Sequence, residues 1–167
     1  MIGIGGSTIE IELNAISSKA YLVDPIQKFE FQLRIDKACK LMQDENVSAM
    51  YLHAGNNLYY FTGMRWSASE RMVGAVLFKN GTLVYIAPEF EKGTILDFML
   101  IDGNVKCWEE HECPFQLFGK ILAQNNVIET EVYIDETAPY FITDGIDKTN
   151  PNAKSAMARA AKGTANP

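Results

Sequence analysis

Cys107-Trp-Glu-Glu-His111-Glu-Cys113 places two thiols and an imidazole in one short stretch, a set that could hold a metal ion or activate a nucleophile. Sulfur and nitrogen ligands suit zinc. Structural zinc sites, however, pair their cysteines as C-x2-C on a knuckle, and here a fourth ligand is missing unless His53 approaches. Cys107 and Trp108 fit the alternation of an ordinary strand instead. A cysteine nucleophile needs a histidine base and a third group that orients the base. Cys113 and His111 supply two of these, on one face if the segment is extended, and no third member is evident. The G-x-S-x-G turn of serine hydrolases does not occur, and Ser67 and Ser69 have no base nearby in the sequence. In the opening GIGGST, the third glycine of a phosphate-binding G-x-G-x-x-G would fall on Thr8, and no strand precedes it, so a flexible entry segment is expected. The pairs Glu109-Glu110 and Glu89-Glu91 read as solvated charges. Read alone, the chain offers no complete catalytic constellation.

Binding chemistry is better represented. In NNLYYFTGMRWSASERMVGAVLF, residues 56 to 78, Leu58 and Phe61 are expected under a short helical turn that Gly63 breaks. Alternatively, Tyr59, Trp66 and Arg71 stand on a loop between strands, where a scaffold can present aromatic faces and a guanidinium to a ligand. Arg71 lies just before a strand. Glu70, next to it, would point to the opposite face of an extended segment, so a partner from elsewhere in the fold or a substrate carboxylate is expected.

These residues depend on the elements around them. Asp24 and Pro25 read as the N-cap and first position of a helix running to about Glu45, with Phe31, Ile35, Ala38 and Met42 on its inner face and Cys39 beside them. Asn46 suits a left-handed helix end. Residues 47 to 54 (VSAMYLHA) form an apolar run too short for a helix, which predicts a buried strand. MVGAVLF and TLVYIA flank Lys79-Asn80-Gly81, a hairpin whose Asn-Gly pair supplies positive φ angles. A helix over 89 to about 100 is expected to turn Phe90, Ile95, Phe98 and Met99 inward. VKCWEE predicts a strand, PFQLFGKILAQNN a helix opened by Pro114, EVYID a strand, and PYFITDGIDKT a helix led by Pro139. Strands alternating with helices, plus one hairpin, predict an α/β fold with a mixed sheet flanked by helices. The tail NPNAKSAMARAAKGTANP has no large apolar side chain except Met157 and reads as a linker.

The 167 residues, 47% hydrophobic and 22% charged, suit one globular domain that buries roughly 70% of its unfolded surface. A net charge of −6 and no Lys/Arg cluster argue against nucleic acid or an anionic membrane as partner. No apolar run reaches the length of a membrane span, and the N-terminus lacks the pattern of a signal peptide. Three cysteines, Cys39, Cys107 and Cys113, at no framework spacing suit a reducing compartment, so a cytoplasmic location is expected.

Asn57-Leu58-Tyr59-Tyr60-Phe61-Thr62-Gly63, the S-E-R-x-x-G-A of Ser69 to Ala75, the helix carrying Arg34 and Leu41-Met42, and Ala87-Pro88-x-Phe90-Glu91 together resemble the N-terminal domain of the creatinase and Xaa-Pro peptidase family, which includes prolidase and aminopeptidase P. The likeness runs in order over roughly residues 28 to 162 and includes Arg159-Ala-Ala-Lys162, similar to the R-x-x-K that leads into the family's catalytic domain. It implies a ribonuclease H-like α/β domain over 25–150, an N-terminal arm over 1–24, and a linker over 151–167 toward a C-terminal pita-bread domain. In the family that domain holds a divalent metal pair (Mn, Co or Zn) with two aspartates, a histidine and two glutamates. None of these ligands can be carried over, so no catalytic residue, metal ligand or cofactor is assigned here and the chain alone is expected to be inert. The resemblance further implies a homodimer, a proline-containing peptide as substrate of the longer protein, and a substrate-cleft rim including Tyr59, Phe61, Trp66 and Arg71. The alternative is a free-standing module of the same fold that binds a small ligand or a protein. A third reading, a self-sufficient hydrolase acting through Cys113, requires activity that alkylation abolishes.

Overall fold

The computed structural model describes residues 5–17, 24–127, 131–151 and 154–158, the last as backbone only. The described residues hold one sheet and six helices: α1 (Ile9–Ala15), α2 (Lys28–Asp44), α3 (Asn56–Thr62), α4 (Lys92–Phe98), α5 (Pro114–Gln124) and α6 (Tyr140–Thr149). The strands are β1 (Ala49–His53), β2 (Gly74–Phe78), β3 (Leu83–Pro88), β4 (Asn104–Trp108), β5 (Glu131–Asp135) and β6 (Lys154–Ala158), in the order β4-β3-β2-β1-β5-β6. Only β2 is antiparallel to its neighbours, so the other strands all run one way. The expected mixed α/β sheet is therefore present.

The central strands β1, β2 and β3 are buried along their whole length because helices cover both faces. Met50, Leu52, Leu77 and Tyr85 pack on one side with Phe31, Ile35 and Met42 of α2 and with Ile95 of α4. Tyr51, Val76 and Ile86 pack on the other with Phe118 and Ile121 of α5 and with Ile142 and Ile146 of α6. The inner face expected for α2 is correct, with Cys39 buried beside it, and Asn46 is left-handed at φ 55°.

Several local expectations are corrected. α2 begins at Lys28 rather than Pro25, because Gln27 closes the turn before it. The Gln27 amide N–H donates to Glu30 Oε1 at 2.8 Å, and its side chain donates to the Pro25 carbonyl at 2.7 Å. The hairpin loop spans three residues, and only Gly81 takes a positive φ, 87°. The Phe78 N–H donates to Thr82 O and the Gly81 N–H to Phe78 O, which makes a type I turn followed by a glycine bulge. Residues 89–91 form a 3-10 turn ahead of a short α4. Ile95 is fully buried, whereas Phe90 and Phe98, expected inside, are 62% and 52% exposed. Residues 9–15 of the entry segment are helical, with Thr8 Oγ1 accepting from the Ile11 N–H at the N-cap. Residues 154–158, expected within the linker, pair in parallel with β5 as the edge strand. Among the described residues no helix is long and apolar enough to cross a membrane.

Candidate functional site

Because β1, β3, β4, β5 and β6 run in one direction, their carboxyl ends share one side of the molecule, and α3, the loop 63–73, the 3-10 turn and the turn after β4 gather there. Crevices at the carboxyl ends of strands are the usual ligand positions in open α/β sheets.

Asp135, at the end of β5, holds this side together. Its carboxylate is 2% exposed and accepts four hydrogen bonds: Oδ2 from the His53 N–H at 3.1 Å, and Oδ1 from Asn57 Nδ2 at 2.7 Å and from the Thr137 N–H and Oγ1, both at 2.8 Å. The end of β1, the first turn of α3 and the turn after β5 are thereby tied to one side chain. His53 is 1% exposed, and its Nδ1 lies 3.3 Å from the Tyr51 hydroxyl. That hydroxyl donates to the Val73 carbonyl at 3.0 Å, so Nδ1 carries the proton toward Tyr51 and Nε2 is left as an acceptor with no partner among the described residues. Burial lowers the His53 pKa, with the nearby Asp135 opposing it, and burial raises that of Tyr51.

α3 matches the first of the two readings of this stretch, a short helical turn broken at Gly63. Leu58 and Thr62 are buried, and Gly63 ends the helix at φ 73° with its N–H on Tyr59 O at 2.8 Å. Phe61 is only half-buried. Arg34 of α2 clamps α3: Nη1 donates to the Tyr60 carbonyl at 2.9 Å, and the guanidinium lies 4.4 Å from the Tyr60 ring centroid.

The residues expected on a cleft rim reach the same side of the molecule without converging. Tyr59 and Trp66 line a shallow open pocket of about 560 Å³ with Gly55, Asn56 and Arg65. Phe61 lines a different, mainly apolar groove of about 600 Å³ between α2, α3 and β5, floored by Met50, Leu52 and Tyr133. Arg71 lies apart from both. Its Nη1 pairs with Glu70 after all, because residues 70–71 are bent rather than extended, and its Nε donates to Glu110 Oε1 at 3.0 Å. Its guanidinium also rests 5.5 Å from the Phe90 ring centroid. The partner that Arg71 requires is thus protein, and Glu110 is not merely a solvated charge. The guanidinium beside Tyr59 and Trp66 is that of Arg65, 5.3 Å from the Tyr59 ring centroid and without a carboxylate partner among the described residues. Sequence reasoning missed Arg65, although its position next to Trp66 in the same loop was a usable signal. A cation over an aromatic face can bind a carboxylate attached to an apolar ring.

Burial raises the pKa of the Cys39 thiol, away from activation. Cys107 is pushed up to about 11 by burial and by the neighbouring negative charge of Glu89. β4 ends at Trp108 and residues 109–112 turn back, with the Glu112 N–H on Glu109 O at 2.7 Å. His111 and Cys113 therefore do not share a strand face, and Cys113 is instead the N-cap of α5. Among the described residues no group of three or more His, Cys, Asp or Glu side chains converges on a common point, so these residues do not fit a metal pair.

Comparison with known proteins agrees with this geometry. A family model for the creatinase/prolidase N-terminal domain matches residues 34–160. An uncharacterised peptidase of Staphylococcus haemolyticus is 26% identical over 96 residues, 55% of this chain and 27% of that protein. The structure of a prolidase from Thermococcus sibiricus superposes with a TM-score of 0.68 at 20% identity, covering 80% of this chain and 35% of that one. That of the N-terminal domain of an Xaa-Pro dipeptidase from Lactobacillus brevis gives 0.62 at 18%, covering 70% and 87%. The chain spans about a quarter of the length of the curated relatives it matches. With the match extending over most of the sequence and the fold shared with these solved domains, this chain belongs to the creatinase/prolidase N-terminal domain family.

Proposed function

We propose that this chain is the non-catalytic N-terminal domain of a cytoplasmic, metal-dependent Xaa-Pro dipeptidase or aminopeptidase, in which it supports dimerisation and forms part of the substrate cleft. The observation that carries the reading is the family match over residues 34–160, joined to the short share of each peptidase relative that the chain spans. On this reading the α/β unit expected over 25–150 extends through β6 to Ala158, the passage toward the catalytic domain comes after it, and the divalent metal pair (Mn, Co or Zn) belongs to that second domain. The metal pair would polarise the scissile carbonyl and supply hydroxide there. The residues of this chain bind and exclude water. Tyr59 and Trp66 pack against a proline ring, and Arg65, in place of Arg71, holds the substrate carboxylate.

The test compares the 167-residue chain with the same chain joined to a catalytic domain. With Mn(II) or Co(II), the joined protein cleaves an Xaa-Pro dipeptide and the chain alone does not. In the joined protein, Arg65→Ala raises KM for a dipeptide about tenfold or more with kcat nearly unchanged, as expected for a lost charge-assisted contact. Turnover by the chain alone would refute the reading. The apolar groove beside Phe61 favours the alternative of a small-ligand module, which a dipeptide-independent ligand bound by the isolated chain would support.

A further inference from the structure

The segment that carries Tyr59, Arg65 and Trp66 is tied at both ends to one residue, His53. At its close, the Val73 carbonyl accepts from the Ala54 N–H and from the Tyr51 hydroxyl, both at 3.0 Å, and the neighbouring Met72 carbonyl accepts from Trp108 Nε1 at 3.2 Å. The Tyr51 hydroxyl has little room to leave. Its ring is fully buried, and it stands over Gly74, where an added Cβ would lie 2.8 Å from it. Its other neighbour is His53 Nδ1 at 3.3 Å. At the start of the segment, the His53 N–H and Asn57 Nδ2 of α3 donate to the same Asp135 carboxylate. The imidazole fits this place in one protonation state. Nε2 is buried without a partner among the described residues: as an acceptor it forgoes one hydrogen bond, but as a donor it would be a buried N–H carrying positive charge, which costs more. Asp135 of β5 is the charge that acts on the ring, and Tyr51 is the titratable group beside it. β2, α3, the loop and α5 present Gly74, Asn57, Val73 and Phe118 around these groups, none of them charged. The attraction of Asp135 is outweighed by burial.

We infer that His53 is a positioning residue for the loop 63–73 and that it holds the loop in place only while its imidazole is neutral. An imidazolium needs water or an acceptor at Nε2, and the closed arrangement supplies neither, so protonation favours whatever opening brings the ring to water. His53 forms the last pair of the β1–β2 ladder, with Gly74, and the Ala54–Val73 bond lies just beyond it. Among the parts that meet here, β1, β2 and β5 are paired strands, whereas the loop has no regular structure and gives way first. The sign follows from linkage. The open form titrates near the ordinary histidine value of about 6.5 and the closed form below it. The closed loop is therefore fully favoured above about 6.5, and each pH unit below that promotes opening by up to about tenfold until the closed form itself titrates. The inference concerns the position of the loop and stands whether or not Arg65 meets a substrate carboxylate.

Hydrogen exchange of the isotope-labelled chain, followed by NMR between about pH 8 and pH 5 and corrected for intrinsic rates, tests the inference. The probes are the Ala54 amide and the Trp108 indole N–H, whose acceptors are the Val73 and Met72 carbonyls. Below about pH 6.5 the protection of both should fall by up to about tenfold per unit, at rates that low concentrations of urea leave unchanged, as expected of a local opening. His53→Gln, which keeps a neutral donor toward Tyr51, should flatten the profile at both probes. Tyr51→Phe, which removes the tie between His53 and Val73, should lower their protection already at the alkaline end. A flat profile in the wild type overturns the inference. So does exchange at the two probes that rises with urea as steeply as that of the Val76 amide within β2, because the opening is then global and His53 holds the whole domain instead of the loop. Should His53→Gln fail to fold, the wild type decides alone: the bend in its exchange profile must follow the titration of the His53 ring protons, and a mismatch overturns the assignment.

Discussion

Replacing Asp135 with alanine should be among the most damaging single changes in this domain that do not touch its apolar core. The carboxylate accepts from the His53 and Thr137 backbone amides, from Asn57 Nδ2 and from Thr137 Oγ1. After truncation the donors around Thr137 and Asn57, which are only part-buried, can turn to water. The His53 N–H cannot, because His53 is 1% exposed. A buried amide left unsatisfied costs about 1–3 kcal/mol, and each lost hydrogen bond to a charged acceptor about 1.5–3, with strong non-additivity, so a total of about 3–5 kcal/mol is expected. That is a large part of the roughly 5–15 kcal/mol that holds a domain of this size together. Asp135→Asn keeps an acceptor for the three donors at Oδ1 and sets an NH2 group against the His53 N–H, so its loss should be intermediate, about 1–3 kcal/mol. Asn57→Ala removes one bond and should cost less again. Urea unfolding followed by fluorescence measures all three. If Asp135→Ala costs less than about 1 kcal/mol, the carboxylate is not the tie described here. If Asn and Ala cost the same, charge and not the number of acceptors is what the site requires.

Three further outcomes follow from the same geometry. Burial lowers the His53 pKa, so the unfolded chain binds its proton first. Stability is full above the ordinary histidine value of about 6.5 and falls as pH drops below it, by at most about 1.4 kcal/mol per unit; His53→Gln should flatten that slope in urea titrations between pH 7 and 5. Gly74→Ala would drive a Cβ against the Leu52 carbonyl and to 2.8 Å from the Tyr51 hydroxyl, so a loss of about 3 kcal/mol or failure to fold is expected, read by thermal unfolding. Cys107, pushed up to about 11, should be alkylated by iodoacetamide at pH 7.5 at least about tenfold more slowly in the folded chain than in urea, followed by mass spectrometry of the peptide.

The order of elements was legible because it is written in local patterns. Phe31, Ile35, Ala38 and Met42 repeat at the helical period, and the runs that became β1, β2 and β3 are apolar because helices cover both of their faces. What the sequence hid depends on contacts made at a distance or on one-residue choices. The α2 start moved to Lys28 through the side chains of Gln27 and Glu30, a competition that Asp24 and Pro25 lose. Phe90 and Phe98 came out exposed because a 3-10 turn advances by a different angle from an α-helix, so one residue set cannot share a face across both. β6 was read as linker for want of large side chains, yet an edge strand also gains from its backbone pairing with β5. The site was less legible than the fold. Tyr59, on α3, and Trp66, on the loop that follows it, are close in the sequence, whereas the partner of Arg71 lies 39 residues away at Glu110 and no local pattern announces it.

On the reading proposed above, a domain with no catalytic constellation among its described residues would still shape chemistry next to it. A wall made of Tyr59 on α3 and of Arg65 and Trp66 on the loop after it is then useful only if it does not drift, since a displacement of about 1 Å in a positioning group can cost about a hundredfold in rate. The loop 63–73 is held at both ends by features that have no direct part in binding. At its start Arg34 clamps α3 to α2 and Gly63 fixes the helix exit; at its close the Tyr51 hydroxyl takes the Val73 carbonyl and Trp108 Nε1 takes the Met72 carbonyl at 3.2 Å. Between these ties, Trp66 meets Phe98 edge-on at 6.2 Å, which uses a ring left exposed by α4 as lateral support. If this side of the domain forms a cleft wall as proposed, the buried polar layer around Asp135 and His53 would rigidify it, and the groups that break bonds would lie on the domain facing it.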